Sequence, residues 1–318
     1  MVSDLFDNDN ENQSHLQVEG FKRSEVTSSF DLPRRRLAQW LLLLTAGMPQ
    51  LLFAQNSAPM MRTIPGLALA LGGGAARGFT HIGVIEVIES LGVRPEWVVG
   101  TSAGSLVGAL YASGMTVPEL KKQALALDEA ELGDWTITGR GPLKGEAIER
   151  LVNRLIGNKA MESFPIKFAA VATDLFNGKP IYFTRGNAGQ AVRASSSVPG
   201  VFEPVSIRGR DYVDGGLVSP IPVSAARALG AKKVIAVDIS AKPKFQSTDS
   251  MPQMFLQTFA IMGQQMGATE LARADVAIVP EVGDLSAGDF SQRVRSIKEG
   301  SRAAQLQREA IKRLIAQM

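Results

Sequence analysis

The chain of 318 residues contains no cysteine, which excludes disulfide bonds, thiolate metal sites and cysteine nucleophiles. Histidine is almost as scarce, with only His15 and His81. Few side chains are therefore available as the general base that a serine nucleophile needs. The sequence shows no cluster with metal-ligand spacing, and we expect neither a metal nor another cofactor. It also lacks basic-aromatic interleaving and zinc or helix-turn-helix signatures, so we expect no nucleic-acid partner.

The composition is that of a globular protein, with 45% hydrophobic and 20% charged residues. The charge is unevenly distributed along the chain. The first 32 residues contain seven acidic and two basic residues, which leaves +8 on the remainder because the whole chain carries +3. A net positive charge on this part of the chain favours binding to anionic surfaces such as phospholipid head groups. Ordinary solubility charge is the alternative explanation.

The N-terminal region has two parts that differ in composition. Residues 1–36 are polar without apolar periodicity and are predicted to be a disordered leader that ends in Arg34–Arg36. Residues 37–61 contain a short apolar run and a linker, a pattern typical of a secretory signal or an anchor. The paired arginines also permit twin-arginine export. We expect an exported, periplasmic or membrane-associated protein, with an uncleaved anchor, a peripheral helix or a cytoplasmic protein as alternatives.

Residues 62–318 alternate between strand and helix patterns and form one predicted domain. Strands that alternate with helices imply an α/β fold with a mostly parallel sheet covered on both faces. Strands are predicted at 67–71, 97–99, 167–173, 181–184, 233–239 and 274–279, with a hairpin at 204–213. Helices are predicted at 79–91, 102–112, 117–127, 145–156, 223–229 and 293–318.

Two glycine-containing motifs follow consecutive predicted strands. Gly100–Gly104 reads Gly-Thr-Ser-Ala-Gly between a strand and a helix, the context of a nucleophile elbow with Ser102 at its tip. The loop Gly72-Gly73-Gly74-Ala75-Ala76-Arg77-Gly78 also ends a strand and opens a helix. Amides at such a helix start attract a phosphate or the oxyanion of a tetrahedral intermediate. The absence of an acidic residue after the second strand disfavours dinucleotide binding, and no Gly-Lys-Ser/Thr follows.

A third motif supplies the missing base. His15 lies in the leader, and His81 is expected to be a structural hydrogen-bonding group in the helix after the glycine loop. This leaves a carboxylate, and Asp214 in Asp214-Gly215-Gly216 follows a predicted strand and can accept the Ser102 proton directly. Partial desolvation would raise the pKa of such a carboxylate towards the range useful for a general base. Standing alone, Asp-Gly-Gly is usually just a turn.

Together with the segment 194–202 (ASSSVPGVF), these motifs resemble the patatin-like phospholipases, most closely the bacterial branch similar to the catalytic region of neuropathy target esterase. The resemblance covers about residues 66–238. It implies a three-layer α/β/α fold and a Ser–Asp dyad of Ser102 and Asp214. It also implies an oxyanion loop of Gly72, Gly73, Gly74, Arg77 and Gly78, with the Ala103 amide adding a donor from the elbow.

The resemblance implies a serine acyl hydrolase that cleaves esters of phospholipids or lysophospholipids through an acyl-enzyme and acts at a membrane surface. A non-catalytic lipid-binding or regulatory protein and an acyltransferase are the alternatives. The sequence does not predict an oligomeric state.

Four further features have simpler explanations. Asp174 is expected to cap the next turn, and the serines 195–197 to pack beside the site rather than act as nucleophiles. The Met- and Phe-rich stretch 253–267 is expected to be core, with an acyl-chain pocket or an interfacial surface as the alternative. The basic residues of 293–318 are expected to face solvent.

Overall fold

The computed structural model describes residues 61–136, 140–243, 248–286 and 288–318. The predicted leader and nearly all of the predicted signal or anchor segment lie outside the described residues. None of the helices in the described part is long and apolar enough to cross a membrane.

The described residues contain one sheet of eight strands. The strands are β1 (Arg62–Leu71), β2 (Val93–Thr101), β3 (Lys167–Asp174), β4 (Pro180–Phe183), β5 (Val205–Ile207), β6 (Arg210–Asp214), β7 (Lys233–Val237) and β8 (Val276–Ile278). Their order in the sheet is β5-β6-β3-β2-β1-β7-β8, with β4 also paired to β3. The five strands from β3 to β8 in this order pair in parallel, whereas β4, β5 and β6 pair antiparallel.

Helices cover both faces of this sheet. They are α1 (Thr80–Glu89), α2 (Ala103–Ala112), α3 (Val117–Ala126), α4 (Glu146–Leu155), α5 (Ala188–Ser196), α6 (Val223–Ala228), α7 (Met251–Leu271), α8 (Arg293–Leu306) and α9 (Arg308–Ala316). Short 3₁₀ turns follow β1 at Ala75–Phe79 and β6 at Gly215–Leu217.

Strand β1 shows how the two faces differ. Leu67, Leu69 and Leu71 pack into a large cluster with apolar side chains of α1–α5, α8 and α9. Ala68 and Ala70 point to the other face, where they join a smaller cluster with α6. Side chains alternate between faces along a strand, so this one segment separates two helical layers. The expected α/β fold with a mostly parallel sheet between helices is confirmed.

The helices differ from the sequence prediction at three places, the first of which is α7 (Met251–Leu271), where no helix was predicted. The single helix expected at 293–318 is wrong, because it divides into α8 and α9 at Gln307. Helix α5 was not predicted. It begins at an N-cap, where the Asn187 side chain accepts a hydrogen bond from the Gln190 amide, but its small residues carry a weak apolar pattern.

The two strands that carry the central motifs meet end to end on β3. Val171 pairs with Thr101 at the end of β2, and the next residue, Ala172, pairs with Asp214 at the end of β6. Strand β4 occupies the opposite edge over both positions. Strands β2 and β6 therefore share one edge of β3 and approach from opposite directions, so that their carboxyl ends face each other.

Candidate active site

Ser102 lies at the tip of a strained turn between β2 and α2. Its backbone angles are φ 52° and ψ −123°, which a residue with a side chain rarely adopts. The flanking glycines allow this turn. A Cβ at Gly100 would overlap the Gly104 backbone, and one at Gly104 would overlap the Leu71 carbonyl oxygen of β1. The predicted elbow is therefore present, with Ser102 held at the carboxyl edge of the sheet.

Ser195 links this turn to strand β3 through its hydroxyl group. Its hydroxyl accepts a 2.9 Å hydrogen bond from the Ser102 amide and donates a 2.5 Å bond to the Val171 carbonyl of β3. The side chain is fully buried on α5. Ser195 is thus a structural link between the elbow and the sheet, as expected for a residue packed beside the site, and sequence reasoning did not identify this link.

The glycine loop runs beside Ser102, but two of its amides are already occupied. The Gly72 amide donates to the Val237 carbonyl and the Gly73 amide to the Pro220 carbonyl, each at 3.0 Å. The expectation that both amides line an oxyanion hole is therefore corrected. Gly73 instead brings its backbone against the elbow, since a Cβ there would lie 3.2 Å from the Ser102 Cβ.

The amides of Gly74, which precedes the 3₁₀ turn, and of Ala103, the first residue of α2, are among those around Ser102 that have no acceptor in the described residues. Amides at a helix start are free to bind an anion because no preceding helical carbonyl accepts from them. Gly78 packs against the elbow, where a Cβ would lie 2.8 Å from the Ala103 Cβ. The loop and the elbow therefore form one continuous surface.

Arg77 supports the loop through its buried side chain. Its guanidinium donates to the carbonyls of Ile239 and Leu285, at 2.9 and 2.6 Å. Burial lowers the pKa of Arg77 to about 10, against the opposing effect of the Asp238 carboxylate. The Arg77 amide donates to the Gly74 carbonyl. The Nε and Nη1 groups of Arg77 and its amide therefore hold the loop, and these three donors are not available to an oxyanion, in contrast to the sequence expectation for Arg77.

Asp214 is a buried carboxylate at the point where β2 and β6 meet. Its Oδ1 accepts a 2.6 Å hydrogen bond from the Gly216 amide, in the turn that Gly215 and Gly216 form. Its Oδ2 is buried and has no partner in standard hydrogen-bond geometry among the described residues. The Ser102 side chain is nevertheless close enough to lower the pKa of the carboxyl. Hydrogen bonds of this type are often loose in unliganded enzymes.

Burial dominates the electrostatics of Asp214. It raises the pKa of the carboxyl to about 6, and the contacts from Ser102 and from the Gly216 amide only partly oppose this shift. The carboxylate is thus largely ionised at neutral pH but is a stronger base than an exposed aspartate. A carboxyl with these properties can accept a proton from a neighbouring hydroxyl.

Ser102 and Asp214 line the same cavity of about 140 Å³, together with the glycine loop. The opposite wall is α7, through Leu256, Phe259 and their neighbours. A larger depression of about 620 Å³ involves α4, but it contains none of the motif residues and its arginines form ion pairs with glutamates. We therefore place the candidate site in the smaller cavity.

Helix α7 corrects one sequence expectation. The Met- and Phe-rich stretch was expected to be core, but only part of it faces the protein. Met254, Phe255, Ile261 and Met262 are each 45% or more exposed. One face of α7 covers the cavity and the other presents apolar side chains to solvent.

Comparison with known proteins identifies the family. The family model for patatin-like phospholipases matches residues 69–227. The chain belongs to this family.

Relatives agree with this assignment, and a solved structure shares the fold. An uncharacterized NTE family protein of Mycobacterium tuberculosis is 37% identical over 193 residues, 60% of this chain and 53% of that protein. Patatin-like phospholipase domain-containing protein 6 of mouse is 33% identical over 184 residues, 55% of this chain and 14% of that protein. The chain thus spans about half the length of the mycobacterial relative. The crystal structure of VipD from Legionella pneumophila shares the fold, with a TM-score of 0.51 at 14% identity, over 79% of this chain and 67% of VipD.

The one histidine in the described part of the chain is structural. His81 Nε2 donates to the Gly72 carbonyl at 2.9 Å, so the ring proton must be on Nε2, because a carbonyl only accepts. Burial lowers the pKa of His81 to about 4. Nδ1 has no hydrogen-bond partner in the described structure. The ring therefore supports the glycine loop and is not hydrogen-bonded to Ser102.

Asp174 and Ser197 also have structural roles. Asp174 Oδ1 accepts from the amides of Phe176 and Asn177, and Oδ2 pairs with Arg210 at 2.9 Å. The Ser197 hydroxyl donates to the Arg193 carbonyl. The turn-capping expectation for Asp174 is confirmed. Among the described residues, no group of three or more His, Asp or Glu side chains could hold a metal ion.

The raised pKa of Asp214 predicts a stability effect. Asp214→Asn should increase the free energy of unfolding at about pH 8 by up to about 3 kcal/mol, because the shift from 3.8 to about 6 penalises the ionised folded state. The gain should shrink as the pH falls from about 6 and vanish below about 4, where the carboxyl is protonated in both folded and unfolded chains. Urea denaturation of both proteins at several pH values measures this difference in the free energy of unfolding.

Asp211→Asn is the matched control on the same strand. Arg140 lowers the pKa of the Asp211 carboxyl, so this substitution should show no stability gain that grows with pH. A pH-independent difference for Asp214→Asn, or a loss of stability at high pH, would contradict the buried, destabilised carboxylate.

Proposed function

We propose that this patatin-like phospholipase is a serine acyl hydrolase that cleaves acyl esters of phospholipids or lysophospholipids with a Ser102–Asp214 dyad. The observation that carries the proposal is the shared cavity, in which the hydroxyl at the strained elbow faces a buried carboxylate with a pKa of about 6. The family match and the apolar cavity wall support a lipid ester as the substrate class.

The reaction begins with attack of Ser102 Oγ on the ester carbonyl carbon, while Asp214 takes the hydroxyl proton. The developing oxyanion binds the free amides of Gly74 and Ala103, each of which can contribute roughly 3–4 kcal/mol. The bond to the alcohol then breaks, and Asp214 returns the proton to the leaving oxygen. Water attacks the acyl-enzyme in the same manner, with Asp214 accepting its proton and returning it to Ser102 Oγ as the carboxylic acid leaves.

The two amides replace the wider set expected from the sequence. Gly72, Gly73 and Arg77 hold the loop in place through their own hydrogen bonds, and Gly78 packs it against the elbow. Because the loop is held in this way, the amides of Gly74 and Ala103 are already in place and can stabilise the developing charge without reorganisation at the moment of reaction. The role of these four residues in the proposed mechanism is therefore to position the loop rather than to contact the oxyanion.

Covalent labelling tests the dyad. A fluorophosphonate probe should label the wild type at Ser102, since Oγ displaces fluoride from phosphorus as its proton passes to Asp214. The labelling rate should rise with pH to a plateau, with half of the maximal rate at about pH 6, where the Asp214 carboxyl ionises. Ser102→Ala should abolish labelling. Rates measured by mass spectrometry between about pH 4.5 and 8.5 give the profile.

Two results would favour the alternatives. A folded wild type that remains unlabelled at every pH would support a non-catalytic lipid-binding or regulatory protein. A labelled protein that, when given an ester substrate, transfers the acyl group mainly to an added alcohol rather than to water would support an acyltransferase. Ser195→Ala is not a neutral control here, because its hydroxyl holds the Ser102 amide.

We further propose that α7 contacts the membrane surface. From Met251 to Thr269 the helix contains no Asp, Glu, Lys or Arg, and its exposed side includes Met254, Ile261 and Met262. Apolar side chains without charged neighbours can enter the boundary between head groups and acyl chains at low desolvation cost. The same helix covers the cavity, so contact at this face would bring a lipid ester close to Ser102.

Vesicle binding tests this contact. Met254→Gln combined with Met262→Gln should weaken partition into phospholipid vesicles by roughly tenfold or more, because two partly buried apolar side chains contribute about 1 kcal/mol each. Leu306→Gln, an exposed leucine on α8 in the opposite helical layer, is the control and should leave partition unchanged. Equal loss in both variants, or no loss in either, would contradict the assignment to α7.

We also propose that residues 37–61 direct export or membrane attachment. The basis is the sequence pattern of Arg34–Arg36 followed by an apolar run that ends at Ala54. Sequencing the N-terminus of the protein from fractionated cells should give Gln55 as the first residue in the exported fraction. An intact Met1 in the cytoplasmic fraction would contradict export.

A further inference from the structure

One face of α7 forms a wall of the cavity next to Ser102. The lining residues of this helix are Leu256, Phe259, Ala260 and Gly263, with successive separations of three, one and three residues. This spacing places them along a single stripe of the helix. The stripe is apolar, and the helix carries no charged residue before Glu270. The wall therefore offers nothing to a charged head group and suits a hydrocarbon chain.

Gly263 is the unusual member of this stripe. The residue is buried, yet a Cβ added to it would find no heavy atom of the described residues within 4 Å. A buried position with open space in front of it, on the lining of the cavity, faces the cavity itself. One turn further on, a Cβ at Gly267 would lie 3.2 Å from Ile221 Cδ1. Close packing thus explains a small residue at 267 but not at 263.

A glycine inside a helix destabilises it by roughly 0.5–1 kcal/mol relative to alanine. Neither packing nor backbone angle requires that loss at Gly263, since its φ is not positive and no atom crowds the site. The space that the missing side chain leaves belongs to the cavity that Ser102 and Asp214 share. Its effect is to lengthen the cavity along α7.

We propose that this stripe of α7 is an acyl-chain subsite and that Gly263 sets its depth, so that the site accepts long unbranched acyl chains. The inference rests on the proposed hydrolase function and adds a specificity-determining residue to it. The ester carbonyl lies at Ser102, and the acyl chain extends along Leu256 and Phe259 to the space in front of Gly263. Any side chain at 263 shortens the available path without disturbing the surrounding protein.

Chain-length profiles test the subsite. Activities of wild type, Gly263→Ala and Gly263→Leu are compared on p-nitrophenyl esters from acetate to palmitate. Gly263→Leu should lower kcat/KM for palmitate by roughly tenfold or more and change it for acetate by less than about twofold, since a misfit of one or a few methylenes gives effects of 10-fold or more. Gly263→Ala should shift the profile in the same direction by a smaller factor.

Thermal denaturation separates this effect from damage to the fold. Gly263→Ala should raise the melting temperature while it weakens activity on palmitate, because alanine stabilises the helix as it fills the cavity. If Gly263 had a purely structural role, the melting temperature and the activity on palmitate would change in the same direction. Gly267→Ala is the matched control on the same helix, since its added methyl group meets Ile221 rather than the cavity, and it should leave the ratio of palmitate to acetate activity unchanged.

The outcomes distinguish the inference from the proposed function. An active wild type whose chain-length profile is unchanged in Gly263→Leu overturns the subsite alone. A wild type inactive on every ester overturns the hydrolase. In that case the subsite is judged by binding of a fluorescent 16-carbon fatty acid, which Gly263→Leu should weaken by roughly tenfold, and equal binding to both proteins overturns it.

Discussion

The site depends on one arrangement of the sheet: β2 and β6 share a single edge of β3 and end against each other. Because Val171 pairs with Thr101 and Ala172 with Asp214, the residue after β2 and the last residue of β6 are brought together by backbone hydrogen bonds. Ladder hydrogen bonds fix both ends of this meeting point. The proposed dyad therefore requires no mobile loop to assemble, and its geometry is set by the same bonds that hold the sheet.

The arrangement places a carboxylate in an apolar sheet edge, and this opposes folding. The Asp214 side chain is buried, and its Oδ2 has no partner in standard hydrogen-bond geometry in the described part of the chain, while the Ser102 backbone adopts a strained conformation. Both features reduce stability, and the surrounding core has to compensate for them. The large cluster between β1 and helices α1–α5, α8 and α9 supplies this support. Ser195 and His81 add local support. The Ser195 hydroxyl accepts from the Ser102 amide of the elbow, and the His81 ring donates to the Gly72 carbonyl of the glycine loop.

The sequence predicted the parts of the site that depend on local pattern. The elbow, the glycine loop and the Asp-Gly-Gly turn each have residue types that a tight turn requires, and the strand pattern gave their common edge. Whether Ser102 and Asp214 carry out the chemistry stays a prediction. The occupied amides of Gly72 and Gly73 were beyond sequence reasoning, because their acceptors, Val237 and Pro220, lie well over a hundred residues away. The exposed face of α7 was missed because an apolar stretch without charges resembles core whichever side faces solvent.

The buried Arg77 guanidinium depends on residues that lie outside the part of the chain that matches the family. The stretch that matches the family, residues 69–227, carries Ser102 and Asp214 but ends before Ile239 and Leu285, which accept the two hydrogen bonds of Arg77. The whole of α7 lies beyond it as well. A fragment cut at the family boundary would keep the proposed dyad and lose the two carbonyl groups that hold the glycine loop beside it. The part of the chain beyond residue 227 thus supplies both the acceptors that hold the glycine loop and one wall of the cavity, while the residues of the proposed dyad lie before it.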